Sequence, residues 1–127
     1  MLMTAVTSNE SNLADSLCER GLELLSTGSA AQAAEAFRAA IAADPRHVEA
    51  HHGLVRALRD AGQLYQSVAA AMALTVLTPE DPLAHTTLSI SLQAAGDVPQ
   101  AEAAAGRARI LEWKVQLNAP LDEASLT

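Results

Sequence analysis

The chain is short of the groups from which most functional sites are built. It has one cysteine, one tryptophan, one tyrosine and one phenylalanine. The single cysteine, Cys18, excludes an intramolecular disulfide and a cysteine metal cluster, and it fits a reducing compartment. Aromatic residues at 2% of the chain exclude a bulky aromatic core. Basic residues are scarce too: 8 Lys+Arg stand against 15 Asp+Glu, for a formal net charge of -7. Nucleic-acid binding needs a positive face that displaces counterions, so nucleic acid is not an expected partner. No apolar run nears the ~20 residues of a membrane span, and a membrane is not expected as a partner either. The opening stretch Met1–Asn12 has no basic residue and no long apolar run, unlike a secretory leader. A cytoplasmic protein is the expectation.

Alanine and a regular spacing fill the space these absences leave. Hydrophobic residues make up 50% of the chain, and alanine supplies much of that fraction. Alanine has the best helix propensity because it loses no side-chain entropy on ordering, and it lets two helices approach closely. Glycines stand at Gly28, Gly62 and Gly96, leucines at Leu24, Leu58 and Leu92, and small residues at Ala33, Ser67 and Ala101. Pro45 and Pro79 keep the same step, and its next landing point is Trp113. Each of these series advances by 34 residues, and a shared period at several independent positions is the mark of a repeat architecture.

Each unit reads as two helices. Leu54, Ala57, Leu58 and Ala61 follow helical spacing, and Gly62 then accepts the positive φ of a helix terminus. Val68, Ala71, Met72, Thr75 and Val76 continue as a second helix, ended by Pro79 and Pro82. Asp81 before Pro82 is a start signal, an N-cap followed by proline in the first turn. Ser29 with Gln32 forms a candidate capping box. These signals predict helices at about 13–27, 30–43, 46–60, 64–77, 82–95 and 99–117, give or take ~2–4 residues, and no strand.

A 34-residue period with two helices per unit resembles the tetratricopeptide repeat (TPR) family. The resemblance runs from Ala14 to Val115. It rests on Leu17, Gly21, Leu24, Gly28, Ala33, Phe37, Ala40 and Pro45 in the first unit, and on Leu54, Leu58, Gly62, Ser67, Ala71 and Pro79 in the second. In the third it rests on Leu88, Leu92, Gly96, Ala101, Ala105 and Ala108. Arg20, Val55 and Trp113 depart from the pattern. The resemblance implies an all-α, right-handed superhelical solenoid of three helix-turn-helix repeats, at about 14–47, 48–81 and 82–115, and Trp113 in place of the terminal proline predicts an extended C-terminal helix to about Leu117. The domain would span 13–117, between a flexible segment at 1–12 and a flexible tail at 118–127.

The resemblance also implies a protein-interaction module, an adaptor, scaffold or chaperone-like protein that binds a peptide or helix on a concave face lined by the first helix of each unit. Carried over position by position, the groove residues are Cys18, Leu22, Glu49, His52, Arg56, Arg59, Thr86, Thr87 and Ile90. Arg56 and Arg59, spaced to act together, suit an acidic group of the partner because guanidinium forks match carboxylates. The Lys/Asn/Arg clamp with which some TPR proteins hold chaperone tails is absent, since Cys18, Leu22, Gly53, Leu83 and Thr87 stand at its places. Leu111, Trp113 and Val115 are expected either to cap the open end of the stack or to form a self-association surface. Self-association through the repeat ends, a structural or assembly role, is the alternative function.

Other chemistry finds little footing. His47, His51, His52 and His85 have only Glu49 as an obvious carboxylate companion, whereas a structural zinc site needs four ligands, so no metal is expected. Cys18 has Asp15 and Glu19 for neighbours, which oppose thiolate formation. No phosphate loop, nucleophile elbow or metalloprotease motif is present, and neither catalysis nor a cofactor is expected.

Overall fold

The computed structural model describes residues 2–119 and the side chains of residues 9–119. Six helices follow in order: α1 (Leu2–Ser26), α2 (Ala30–Ala43), α3 (Val48–Asp60), α4 (Leu64–Leu77), α5 (Pro82–Ala94) and α6 (Val98–Asn118). There is no strand among the described residues. The fold is an all-α repeat, three helix pairs stacked in chain order.

The 34-residue series has a mechanical cause. Among the described residues, Gly28, Gly62 and Gly96 are those with positive φ, at 81°, 77° and 87°. Each turn closes in the same way. The amide after the glycine donates to the carbonyl of the periodic leucine: Ser29 to Leu24 at 2.8 Å, Gln63 to Leu58 at 2.9 Å and Asp97 to Leu92 at 2.9 Å. The glycine amide donates to the residue after that leucine, Gly28 to Leu25 at 3.1 Å, Gly62 to Arg59 at 3.0 Å and Gly96 to Gln93 at 3.1 Å. This is a Schellman closure, which needs a left-handed residue just past the helix. Leucine and glycine therefore recur together because they are two parts of one turn.

The longer turns between units carry a second recurrent device. The His51 ring Nε2 meets the Pro45 carbonyl at 2.8 Å, and His85 Nε2 meets the Pro79 carbonyl at 2.8 Å. A carbonyl only accepts, so both rings carry hydrogen on Nε2. Two of the four histidines are thus occupied in holding turns.

Helix starts differ from expectation in instructive ways. α1 begins at Leu2 rather than residue 13, and neither a proline nor a glycine of positive φ interrupts it before Gly28. α3 starts at Val48 rather than 46. Asp44 turns back to accept the Arg46 amide at 3.1 Å, and His47 becomes the N-cap, its Nδ1 accepting from the Ala50 amide at 3.1 Å. Ser29 occupies an N-cap position but makes no side-chain capping bond. A side-chain capping bond forms instead in the third unit. Asp97 accepts from the Gln100 amide at 3.2 Å, and the Gln100 side chain reaches back to it at 2.6 Å. The two caps have similar backbones, φ -93° and ψ 60° for Ser29 and φ -91° and ψ 75° for Asp97, so the longer aspartate side chain decides which one reaches. Asp81 caps α5 as expected, accepting from the Leu83 amide at 3.0 Å with Pro82 in the first turn. In the C-terminal stretch 118–127, residues 120–127 lie outside the described residues.

The first joint of the stack is keyed by one ring. Phe37 on α2 is fully buried, between Gly21 of α1 and Gly53 of α3, each of which lies against its ring edge. Ala33, Ala34, Ala40, Ala50, Ala57 and Leu58 close around it. The second joint is keyed by polarity. Ser67 and Ser91 are fully buried. The Ser67 hydroxyl donates to the Val55 carbonyl at 3.0 Å, and the two hydroxyls meet at 2.9 Å. Ser67 has spent its hydrogen, so Ser91 is the donor to Ser67. Removing the Ser67 hydroxyl strands a buried donor and leaves the Val55 carbonyl without this bond, whereas removing that of Ser91 strands nothing. Ser67→Ala is expected to cost about 1–3 kcal/mol and Ser91→Ala under about 1 kcal/mol. Urea unfolding of both variants checks the order, and equal losses would contradict the assigned donor.

Candidate functional site

Which side of the stack is the inner one follows from which helices touch. α1 lies against α3, and α3 against α5. The second helices α2, α4 and α6 do not approach one another closely along their described backbones. A stack whose first helices touch while its second helices diverge bends toward the first helices. The inner wall is therefore α1, α3 and α5.

Two side-chain links tie this wall together. His47, at the cap of α3, contacts Asp15 of α1 with Nε2 to Oδ1 at 2.7 Å. Because its Nδ1 accepts from the Ala50 amide, Nε2 bears the hydrogen and donates to Asp15. Farther along, His52 Nδ1 of α3 meets Thr87 Oγ1 of α5 at 3.2 Å. His52 Nε2 is buried with no hydrogen-bond partner among the described residues. Burial pushes the His52 pKa down, against the Asp81 carboxylate and aided by His51, so the ring is neutral at neutral pH. The histidines thus work singly, and no group of three or more metal-ligating side chains occurs among the described residues.

The structure distributes the groove residues along the wall as follows. At one end a depression of about 360 Å³ is lined by Asp15, Cys18, Glu19, Leu22, His47 and Glu49. Its floor is the Cys18 thiol, 2% exposed, so Cys18 shapes the depression without offering sulfur to a partner. Burial, then Glu49, Asp15 and Glu19, push this thiol up to about 11 from an ordinary 9.0. The unfolded chain releases the proton first. The stability this contributes is complete below pH 9 and lost as pH rises toward 11. Iodoacetamide labelling at pH 8 should therefore be many-fold slower for folded than for urea-unfolded protein, and equal rates would contradict the buried, acid-flanked thiol.

In the middle of the wall, Arg56 is exposed and its Nε lies 3.7 Å from Asp60 Oδ2, a long contact one turn away. Arg59 is half-buried and makes no ion pair among the described residues. At the far end, α5 exposes Leu83 and Ile90, with Thr86 and Thr87 half-buried beside them. Thr86 spends its hydroxyl on the Pro82 carbonyl at 3.1 Å. Gly53 is unavailable to a partner because it lies against Phe37.

Of the three C-terminal residues, Leu111 is buried, whereas Trp113 and Val115 are exposed. The outer face of α4 was not singled out by sequence reasoning. Tyr65, Met72 and Val76 are exposed there. The signal was available, because no charged residue occurs between Leu64 and Leu77.

Residues 24–89 match the profile of the tetratricopeptide repeat family, which is more than half of the 127 residues. The chain belongs to the tetratricopeptide repeat family. A comparison with characterised proteins by sequence finds no match. Solved structures share the fold. The second TPR of Spaghetti (RPAP3), bound to the HSP90 peptide SRMEEVD, aligns with a TM-score of 0.74 at 17% identity, over 83% of this chain and 96% of that one. The type III secretion translocator chaperone SycD of Yersinia enterocolitica aligns with a TM-score of 0.75 at 20% identity, over 91% and 84%. SycD in complex with a peptide of the translocator YopD gives 0.73 at 19% identity, over 80% and 77%. Identities this low carry the fold alone. No described helix is long and apolar enough to cross a membrane.

Proposed function

We propose that this chain is a non-catalytic interaction module, an adaptor or scaffold working in the cytoplasm, that binds a peptide or helix of another protein along α1, α3 and α5. The observation that carries this reading is the composition of that wall. Leu22, Leu83 and Ile90 are exposed apolar side chains, and between them Arg56 and Arg59 have no close carboxylate partner beyond the 3.7 Å contact to Asp60. Apolar side chains supply affinity and unpaired guanidinium groups supply selection. The proteins of like fold bound to an HSP90 peptide and to a YopD peptide support a peptide as the occupant. Binding asks for little rearrangement, because the wall is held by Asp15–His47 and His52–Thr87, and a preformed wall lowers the ordering cost.

The partner segment carries an acidic residue, held by Arg56 and Arg59. Once a partner is identified by co-purification, titration calorimetry with Arg56→Ala/Arg59→Ala tests this reading. Loss of charge-assisted bonds worth about 1.5–3 kcal/mol corresponds to at least a tenfold weaker Kd, with helicity intact. An unchanged Kd would remove the acidic-group assignment.

A further inference from the structure

Helix α6 carries two apolar stripes, and the stack uses one of them. The inner stripe, Ala101, Ala104, Ala108 and Leu111, is buried. The second runs along Ala103, Gly106, Ile110, Trp113 and Leu117 in steps of three, four, three and four residues. That alternation is the heptad seam by which one helix pairs with another. It faces solvent: Ile110 is 49% exposed, Trp113 65% and Leu117 70%. The small residues Ala103 and Gly106 open one half of the seam to close backbone approach, and nothing beyond the Arg109 side chain lies within 4 Å of where a Gly106 Cβ would stand.

The flanks of the seam define the occupant. Arg107, Arg109 and Lys114 border it, three of the eight basic residues of a chain with net charge -7, against Glu102 and Glu112 of the opposing sign. Arg109, Ile110, Glu112, Trp113 and Gln116 form a shallow depression of about 410 Å³ on this face. Two copies of α6 laid together suit these flanks poorly. In a parallel pair the repulsion of Arg109 by Lys114 of the other copy offsets the attraction of Glu102 to Arg107, and in an antiparallel pair Arg107 meets Lys114, whereas acidic edges on a partner helix would face all three cations favourably.

We propose that α6 is a second docking surface, which takes an amphipathic helix of another protein with apolar residues in a heptad pattern and glutamate or aspartate along its edges. The surface lies on the outside of the stack, apart from α1, α3 and α5, and one chain can hold a segment on its inner wall and a helix on α6 at the same time.

Trp113 is the only tryptophan and sits in the seam, so its fluorescence reports occupancy directly. The probes are two synthetic heptad helices with leucine seams, one with glutamate edges and one with lysine edges, and vesicles of mixed phosphatidylserine and phosphatidylcholine. The free chain should emit at the red wavelength of a solvated indole. The glutamate-edged helix should shift emission to the blue and protect it from acrylamide. Arg109→Glu/Lys114→Glu should weaken that helix at least tenfold and strengthen the lysine-edged one, while Arg56→Ala/Arg59→Ala leaves both unchanged. Dependence on Arg56 and Arg59 would instead place the helix on the inner wall. The proposal is overturned if the free chain already emits blue, if both helices bind alike, if neither shifts the emission, or if the vesicles alone produce the shift. Self-association detected by sedimentation and abolished by Trp113→Glu would also overturn it, in favour of a second copy.

Discussion

Phe37→Ala should lower the unfolding free energy by about 3–5 kcal/mol, the usual loss for a fully buried phenylalanine. Helical domains of this size have about 5–15 kcal/mol in total, so the variant would lie near the edge of folding. The loss is large because the ring serves two interfaces. It fills the space between α1 and α2 within the first unit and between α2 and α3 across the joint. The equivalent places one and two periods on are Ala71 and Ala105, so no other unit has a comparable key. In a solenoid, stability is the sum of unit terms and neighbour terms. Weakening one neighbour term should broaden the urea transition as well as lower its midpoint, because the first unit uncouples from the rest. A sharp transition displaced by under about 1 kcal/mol would show that the alanine contacts hold the joint unaided.

The second large effect is one where local and tertiary reasoning disagree in sign. Gly53 is in the interior of α3, and a glycine at such a place is about 1 kcal/mol worse than alanine by propensity. Gly53→Ala should therefore stabilise if α3 were exposed there. It is buried, and an added Cβ would fall inside contact distance of Phe37 Cε1 and Cζ. The ring cannot retreat toward α1, because at Gly21 an added Cβ would already stand 2.7 Å from the same ring, leaving no slack on that side. Overpacking of this kind costs about 1–3 kcal/mol or more. Gly53→Ala should be destabilising, and less so in a Phe37→Leu background. The double-mutant cycle should show a coupling of about 1–2 kcal/mol. A stabilised Gly53→Ala chain would mean that the ring does not occupy the joint as described.

These two residues also mark how far the sequence is legible. The period was visible because its glycines and leucines are parts of the same turn, and a turn that needs positive φ leaves few substitutes. The family and the helix count follow from that. Gly53 gave no such signal. By position alone it falls among the groove-facing places of α3, and only the ring contributed by α2 explains it. Ser29 and Asp97 cap equivalent helices on similar backbones, yet the reach of one side chain separates them, which a pattern of residue types does not encode. His52 reads as a groove residue, but its Nε2 is buried at the α3–α5 contact, a matter of how closely two helices approach.

The last helix is legible in part. At about 100° per residue, Leu111 and Val115 share one side of α6 and Trp113 lies on the other. Leu111 and Val115 therefore face away from Trp113. Leu111 is buried against the stack, Val115 lies on the same side beyond its edge, and Trp113 belongs to the exposed seam. The start of α1 illustrates the opposite limit. Polar composition alone suggests a flexible segment, whereas α1 runs from Leu2 to Ser26 with no breaker before Gly28.

The central claim is that the wall formed by α1, α3 and α5 receives the partner segment. Site-specific photocrosslinking tests it most directly, with a photoreactive phenylalanine analogue placed in turn at Leu22 on α1, at Ile90 on α5 and at Tyr65, which is 84% exposed on the outside of α4. Partner adducts should form from Leu22 and Ile90 and not from Tyr65. Adducts from Tyr65 alone would contradict the account.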